Sequence, residues 1–126
     1  MSNPKTILLV EDEILVARSL ERRLRSIGFK TVTSSSGEGA LKEVQKSLPD
    51  LILMDVRLEG TLDGVDTAQV IAKDHIIPII FLTAFSDEQL ISRINQCNSA
   101  GYFTKPFSET VLIDLINRIF STPIHS

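Results

Sequence analysis

A doubly wound α/β domain, with five parallel strands and helices on both faces of the sheet, is the fold this amino-acid pattern predicts. The runs Ile7-Leu8-Leu9-Val10, Leu51-Ile52-Leu53-Met54 and Ile79-Ile80-Phe81-Leu82 are apolar throughout, as strands buried on both faces must be. Between the runs, apolar residues recur at spacings of three and four, the period of a helix with one buried stripe. Two runs end in acid: Glu11-Asp12 follows the first and Asp55 follows Met54. If these runs are neighbouring parallel strands, three carboxylates meet at one edge of the sheet.

The elements follow in order. After strand one, Ala17, Leu20, Leu24 and Ile27 form a stripe that stops at Gly28, a suitable helix C-cap. Lys30 to Ser34 reads as strand two. Ser36 can cap a second helix with Leu41, Val44 and Leu48 inward, and Pro49-Asp50 forces a turn into strand three, with Asp55 just beyond its end. Val56 to Gly64 lacks regular apolar spacing and reads as a loop, and a short third helix covers Val65 to Lys73. Strand four, Ile79 to Thr83, is entered through Pro78; Ser86 and Gln89 have the residue types of a capping box for helix four. Strand five is Tyr102 to Thr104, and Ser108 caps a last helix with the stripe Leu112, Leu115, Ile116 and Ile119. Residues 122–126 are expected to be a frayed tail.

A chain of 126 residues suits one core and not two, so residues 1–126 are read as a single domain. Apolar residues at 43% and charged residues at 23% describe an ordered globular protein. A net charge of −3 argues against bulk attraction to nucleic acid or anionic lipid. The cluster Arg18, Arg22, Arg23 and Arg25, with Glu21 interspersed, reads as a solvated helix face. Cys97, the one cysteine, excludes an internal disulfide and reads as a small buried apolar residue. No apolar run is long enough to span a bilayer and the N-terminus lacks a signal-peptide pattern, so a cytoplasmic protein without membrane contact is expected.

Three carboxylates a few ångströms apart repel one another unless a cation sits among them. Magnesium is the natural candidate, because it takes oxygen ligands and is held by one or two carboxylates together with a phosphate. That arrangement leaves a carboxylate free to act as a nucleophile, and Asp55 is the candidate. In an open parallel sheet, ligands bind beyond the carboxyl ends of the strands, where Glu11, Asp12, Asp55, Thr83 and Lys105 all fall. A phosphoryl group on Asp55 would need a cation on one side, an ammonium on the other and a hydroxyl donor. Asp12, Lys105 and Thr83 are residue types for those tasks. Each is ordinary when taken singly, as a turn former, a solvated lysine or a β-favouring threonine; their shared edge makes the functional reading the stronger one.

Glu11-Asp12, the strand end at Asp55, Asp63-Gly64, Thr83-Ala84 and Tyr102-Phe103-Thr104-Lys105-Pro106-Phe107 together resemble the receiver domain of bacterial two-component response regulators. The resemblance covers nearly the whole chain and implies a flavodoxin-like sheet of order 2-1-3-4-5 with five helices. It implies further that a histidine kinase or histidine phosphotransfer protein passes a phosphoryl group to Asp55 in the presence of Mg2+. By the same resemblance Asp12 and Asp55 hold the metal directly, Glu11 acts through a bound water, and the backbone carbonyl of Arg57 completes the protein ligands. Thr83 and Lys105 then contact phosphoryl oxygens, and the bond between Lys105 and Pro106 is expected to be cis. Movement of Thr83, followed by Tyr102, would alter the surface of helix four, strand five and helix five, where a downstream protein partner docks. Direct nucleic-acid binding is not expected, and a homodimer through the same surface stays open.

The loop from Asp55 to Gly64 is one residue longer than the commonest family form, with Glu59 at a frequent proline position. Arg57 and Phe85 flank the path of the water that would hydrolyse the phosphoaspartate, and neither is a water-orienting carboxylate, so slow self-dephosphorylation is expected. Three rival readings stand beside the receiver. They are a small Mg2+-dependent phosphohydrolase with Asp55 as nucleophile, a flavin-binding module, and a receiver-like interaction domain that is not phosphorylated. The phosphohydrolase lacks a clear general acid and a substrate-covering insertion. A flavin module would need a phosphate-holding loop after strand one. An output segment is missing from the sequence, and the chain ends soon after helix five, which favours a stand-alone receiver over an excised one.

Overall fold

Strand and helix alternate through ten elements: β1 (Thr6–Val10), α1 (Ile14–Ser26), β2 (Lys30–Ser34), α2 (Gly37–Lys46), β3 (Leu51–Asp55), α3 (Gly64–Asp74), β4 (Ile79–Thr83), α4 (Glu88–Asn95), β5 (Gly101–Thr104) and α5 (Glu109–Ser121). The computed structural model describes residues 4–84, 88–97 and 99–121. The expectations for Phe85, for Ser86 as a cap and for the tail at 122–126 fall outside those residues. All strands are parallel and their order is β2-β1-β3-β4-β5.

Alternation along the strands divides the core in two. Leu8, Val10, Ile52, Met54 and Phe81 face a layer containing Ala40 and Val44 of α2, Val65, Ala68 and Ile71 of α3, and Ile94 of α4. Ile7, Leu9, Leu51, Leu53, Ile80 and Leu82 face Leu20 and Leu24 of α1 and Leu112, Ile113 and Ile116 of α5. Each fully buried aliphatic side chain contributes about 1.5–3 kcal/mol relative to exposure, so β1, β3 and β4 anchor the fold. β2 and β5 lie at the edges and are only partly buried.

The caps expected from the sequence form at both α2 and α5. Ser36 Oγ accepts a hydrogen bond from Gly39 N at 3.0 Å, and Ser108 Oγ accepts one from Val111 N at 3.3 Å. Gly28, just past the end of α1, has φ +106°, a conformation that disfavours any side chain.

Four local expectations need correction. Ile27 is 46% exposed, because α1 ends at Ser26 and Ile27 has left the helical path as its C-cap. Leu48 is 57% exposed, because α2 stops at Lys46 and Ser47 is extended, which carries Leu48 off the helix stripe. Asp55 belongs to β3 as its last residue, since it pairs with Leu82. Gly64 belongs to α3, whose N-cap is Asp63. Cys97 is half-buried against the α2/α3/α4 layer, with its thiol donating to Arg93 O at 3.3 Å. The α1 arginines lie on the exposed face, where Arg25 pairs with Glu21 at 3.3 Å and Arg23 approaches Glu109 at 3.9 Å.

Candidate functional site

Strand register brings the chemically active side chains to one edge. Val10 pairs with Met54, so Glu11 and Asp12 emerge beside Asp55. Asp55 pairs with Leu82 and Thr83 pairs with Thr104, which sets Thr83 and Lys105 one step beyond on the neighbouring strands. Backbone bonds hold the edge in place: Glu11 N donates to Ser34 O at 2.9 Å, Val56 N to Leu82 O at 3.0 Å and Lys105 N to Thr83 O at 2.7 Å. The Lys105–Pro106 peptide bond is cis.

Lys105 occupies the centre of this group. Its Nζ donates to Glu11 Oε1 at 2.7 Å and to Asp55 Oδ2 at 2.8 Å, while Arg57 N donates to Asp55 Oδ1 at 3.2 Å. Glu11, Asp55 and Thr83 are all buried. One ammonium cannot fully neutralise two buried carboxylates. Burial and the neighbouring Asp55 push the Glu11 carboxyl up to about 8, against the lowering effect of Lys105. Burial works to lower the Lys105 ammonium, but its bonds to Asp55 and Glu11 prevail and raise it above its ordinary value. The lysine is therefore charged, and the edge keeps an excess of negative charge whenever Glu11 ionises.

That excess is what a hard divalent cation would relieve. Glu11, Asp12 and Asp55 each offer a carboxylate oxygen, and these atoms lie within 4.8 Å of one another. The all-oxygen donor set and its spacing fit Mg2+. Arg57 follows Asp55 by two residues, in the chain segment that leaves the same edge. Tyr102 stands away from the carboxylates on β5, opposite Phe81, and is 40% exposed.

The β3–α3 loop is tied at both ends. Ser36 and Glu59 form an isolated parallel bridge, and Glu38 Oε1 accepts from Leu62 N at 3.3 Å. At the other end, Gly64 N donates to Val56 O at 2.7 Å, and a Cβ on Gly64 would run into the carbonyl oxygen of Asp55. Asp63 caps α3 by accepting from Asp66 N at 2.8 Å, and Asp66 Oδ2 accepts from Asp63 N at 3.2 Å. Arg93 of α4 then reaches both acids, at 3.0 and 3.3 Å to Asp63 and 3.2 Å to Asp66. Sequence reasoning missed Arg93. The aspartates at 63 and 66 carry a local capping signal, but no local pattern links them to a helix about thirty residues on.

A flavodoxin-like sheet with an acidic carboxyl edge, a buried threonine and an inward lysine places the chain in the class of open parallel α/β domains with a polar site beyond the carboxyl ends of the strands. The sequence matches the response regulator receiver domain family over residues 7–117, and the chain belongs to that family. It is 38% identical over 114 residues to the transcriptional regulatory protein PdtaR of Mycobacterium tuberculosis, covering 90% of this chain and 55% of that protein. The chain thus spans about half the length of this curated relative. Among solved structures it is similar to the N-terminal domain of a response regulator/sensory box/GGDEF protein from Carboxydothermus hydrogenoformans. That match has 34% identity and a TM-score of 0.82, and covers 92% of this chain and 96% of the other. The BeF3-activated N-terminal receiver domain of Klebsiella pneumoniae RstA shares the fold, with a TM-score of 0.86 at 22% identity over 93% of this chain and 99% of the other. The chain is accordingly a receiver domain of the response regulator type, a signalling module rather than a dedicated enzyme.

Proposed function

We propose that Asp55 is the phosphoacceptor and that a histidine kinase or histidine phosphotransfer protein is the donor. The observation that carries this reading is the Lys105 ammonium, held against Asp55 Oδ2 at 2.8 Å at the edge where Glu11 and Asp12 converge. An oxygen of the Asp55 carboxylate attacks phosphorus, the bond from phosphorus to the donor's histidine nitrogen breaks, and that nitrogen keeps the electron pair. Lys105 orients the carboxylate before transfer and neutralises a phosphoryl oxygen after it. The Thr83 hydroxyl, at the end of β4, donates to another.

Asp12, Asp55 and the Arg57 carbonyl would hold Mg2+, with Glu11 acting through a water. When bound, the ion supplies neutralisation of the phosphoryl charge. Thr83 shifts toward the phosphoryl group and Tyr102 turns into the space it leaves, so that α4, β5 and α5 present a changed surface to a downstream protein. Arg57 beside Asp55 supports slow self-dephosphorylation, since a cationic side chain cannot act as a base toward the attacking water. Among the described residues no helix is long and apolar enough to cross a membrane.

Radiolabel transfer from a phosphorylated kinase, or from a small phosphodonor, tests this reading. Label is expected on the wild-type chain with Mg2+ and not on Asp55→Asn. Failure with every kinase of the host and with small donors would overturn it, and steady turnover of phosphate esters would favour the phosphohydrolase.

A further inference from the structure

α4 is lightly docked. Ile94 is its one fully buried side chain among the described residues, with Leu90 partly buried beside it. Between α4 and the phosphoacceptor edge lies a cleft of about 370 Å³ lined by Val56, Arg57, Asp63, Thr83, Leu90 and Arg93. The Arg93 guanidinium crosses it and grips Asp63 and Asp66 at the start of α3. Asp63 is followed by Gly64, which is packed against the Asp55 carbonyl, so the far end of the grip is rigidly attached to the phosphoacceptor strand. Its near end is attached to the helix with the least buried support.

We propose that this clamp is a latch that holds α4 in its resting position and is released when Asp55 carries a phosphoryl group. The inference rests on Asp55 being the phosphoacceptor. Phosphorylation adds a charge of about −1.5 to −2 at Asp55, whose chain neighbours Val56 and Arg57 line the cleft together with Arg93, and draws Thr83, which lines the same cleft, toward that charge. A contact present in only one of two states biases the equilibrium toward that state, and by linkage it must weaken whatever favours the other. Removing the latch therefore strengthens binding of a phosphoryl analogue at Asp55, although the acids that Arg93 grips are Asp63 and Asp66 rather than Asp55 itself.

Two variants separate latch release from simple electrostatics. Arg93→Gln removes a positive charge and Asp66→Asn removes a negative one, while the amide side chain of the second variant retains an oxygen that can accept from Asp63 N and keep the cap. Field effects on an anion would have opposite signs in the two variants; latch release has the same sign in both. The experiment titrates Mg2+ and beryllofluoride into the wild-type chain and each variant, following fluorine NMR, and measures amide exchange across α4 without ligand. The expected result is beryllofluoride binding about two- to fivefold tighter in both variants, as the loss of a half-exposed ion pair allows, with faster exchange across α4. Unchanged or weaker binding in either variant, or unaltered exchange, overturns the latch. Failure of the wild-type chain to bind beryllofluoride overturns the phosphoacceptor reading and the latch with it, and is distinguishable because it appears before any substitution.

Discussion

Lys105 reaches back across 50 residues to place its Nζ 2.8 Å from Asp55 Oδ2, and the same nitrogen lies 2.7 Å from Glu11 Oε1. The lysine side chain is 19% exposed, and the carboxylates it joins are 0% and 6% exposed. Little solvent reaches these carboxylates, so losing this partner costs more than losing one on an open surface.

Lys105→Met keeps a stem of similar length and removes the charge. In metal-free buffer it is expected to destabilise the fold by about 2–4 kcal/mol, because two buried carboxylates lose their common partner. Mg2+ recovers part of the loss. Denaturant unfolding with and without Mg2+ measures both effects, and an unchanged midpoint in metal-free buffer contradicts this account.

pH acts through Glu11. Its carboxyl is raised from 4.5 to about 8 in the folded protein, so between those values the folded chain keeps a proton that the unfolded chain has released. Stability from this group is complete below about pH 4.5 and is lost as pH rises through about 8. Metal-free unfolding midpoints should fall across that window, and Glu11→Gln should flatten the curve. Asp63 has the opposite sign: burial opposes ionisation, but Arg93 prevails and holds the carboxyl below 3.8, so its contribution disappears only in stronger acid. Because Mg2+ and the proton compete for the same carboxylates, Mg2+ affinity measured by calorimetry should rise over the same window.

Gly64→Ala tests the rigid join between α3 and β3. The new methyl has no room beside the Asp55 carbonyl, and backbone cannot swing aside as a flexible side chain would. A loss of about 1–3 kcal/mol is expected, with slower phosphorylation of Asp55. Wild-type stability in this variant would show that the join yields.

Thr83→Ala removes the hydroxyl at the buried end of β4. Label transfer to Asp55 should slow by about tenfold or more, as for loss of one donor to a developing anion. Phosphorylation should also no longer change amide exchange in α4 and β5. Thr83→Ser should restore both, and equal rates in all three proteins would remove Thr83 from the mechanism.

Much of the fold was legible because its signals are local. Ile7 to Val10, Leu51 to Met54 and Ile79 to Leu82 are apolar at every position, which only a strand covered on both faces requires. Ser36 and Ser108 announced their helices because a cap is a contact between residues three apart. The errors lay at the ends of elements. Ile27 and Leu48 continue an apolar spacing past the point where the backbone has stopped turning, and spacing alone cannot see that the hydrogen-bond ladder has ended.

The candidate site divides along the same line. Three carboxylates at the ends of predicted strands, with a threonine and a lysine at the ends of two more, could be read from order and spacing alone, because parallel strands leave their carboxyl ends on one edge. Folding settled which partners meet. Lys105 bridges Glu11 and Asp55 across separations of 94 and 50 residues, and Arg93 joins Asp63 across 30. Such pairings depend on strand register and helix docking, which arise when the whole chain packs, and no sequence window of helix or strand length contains both members.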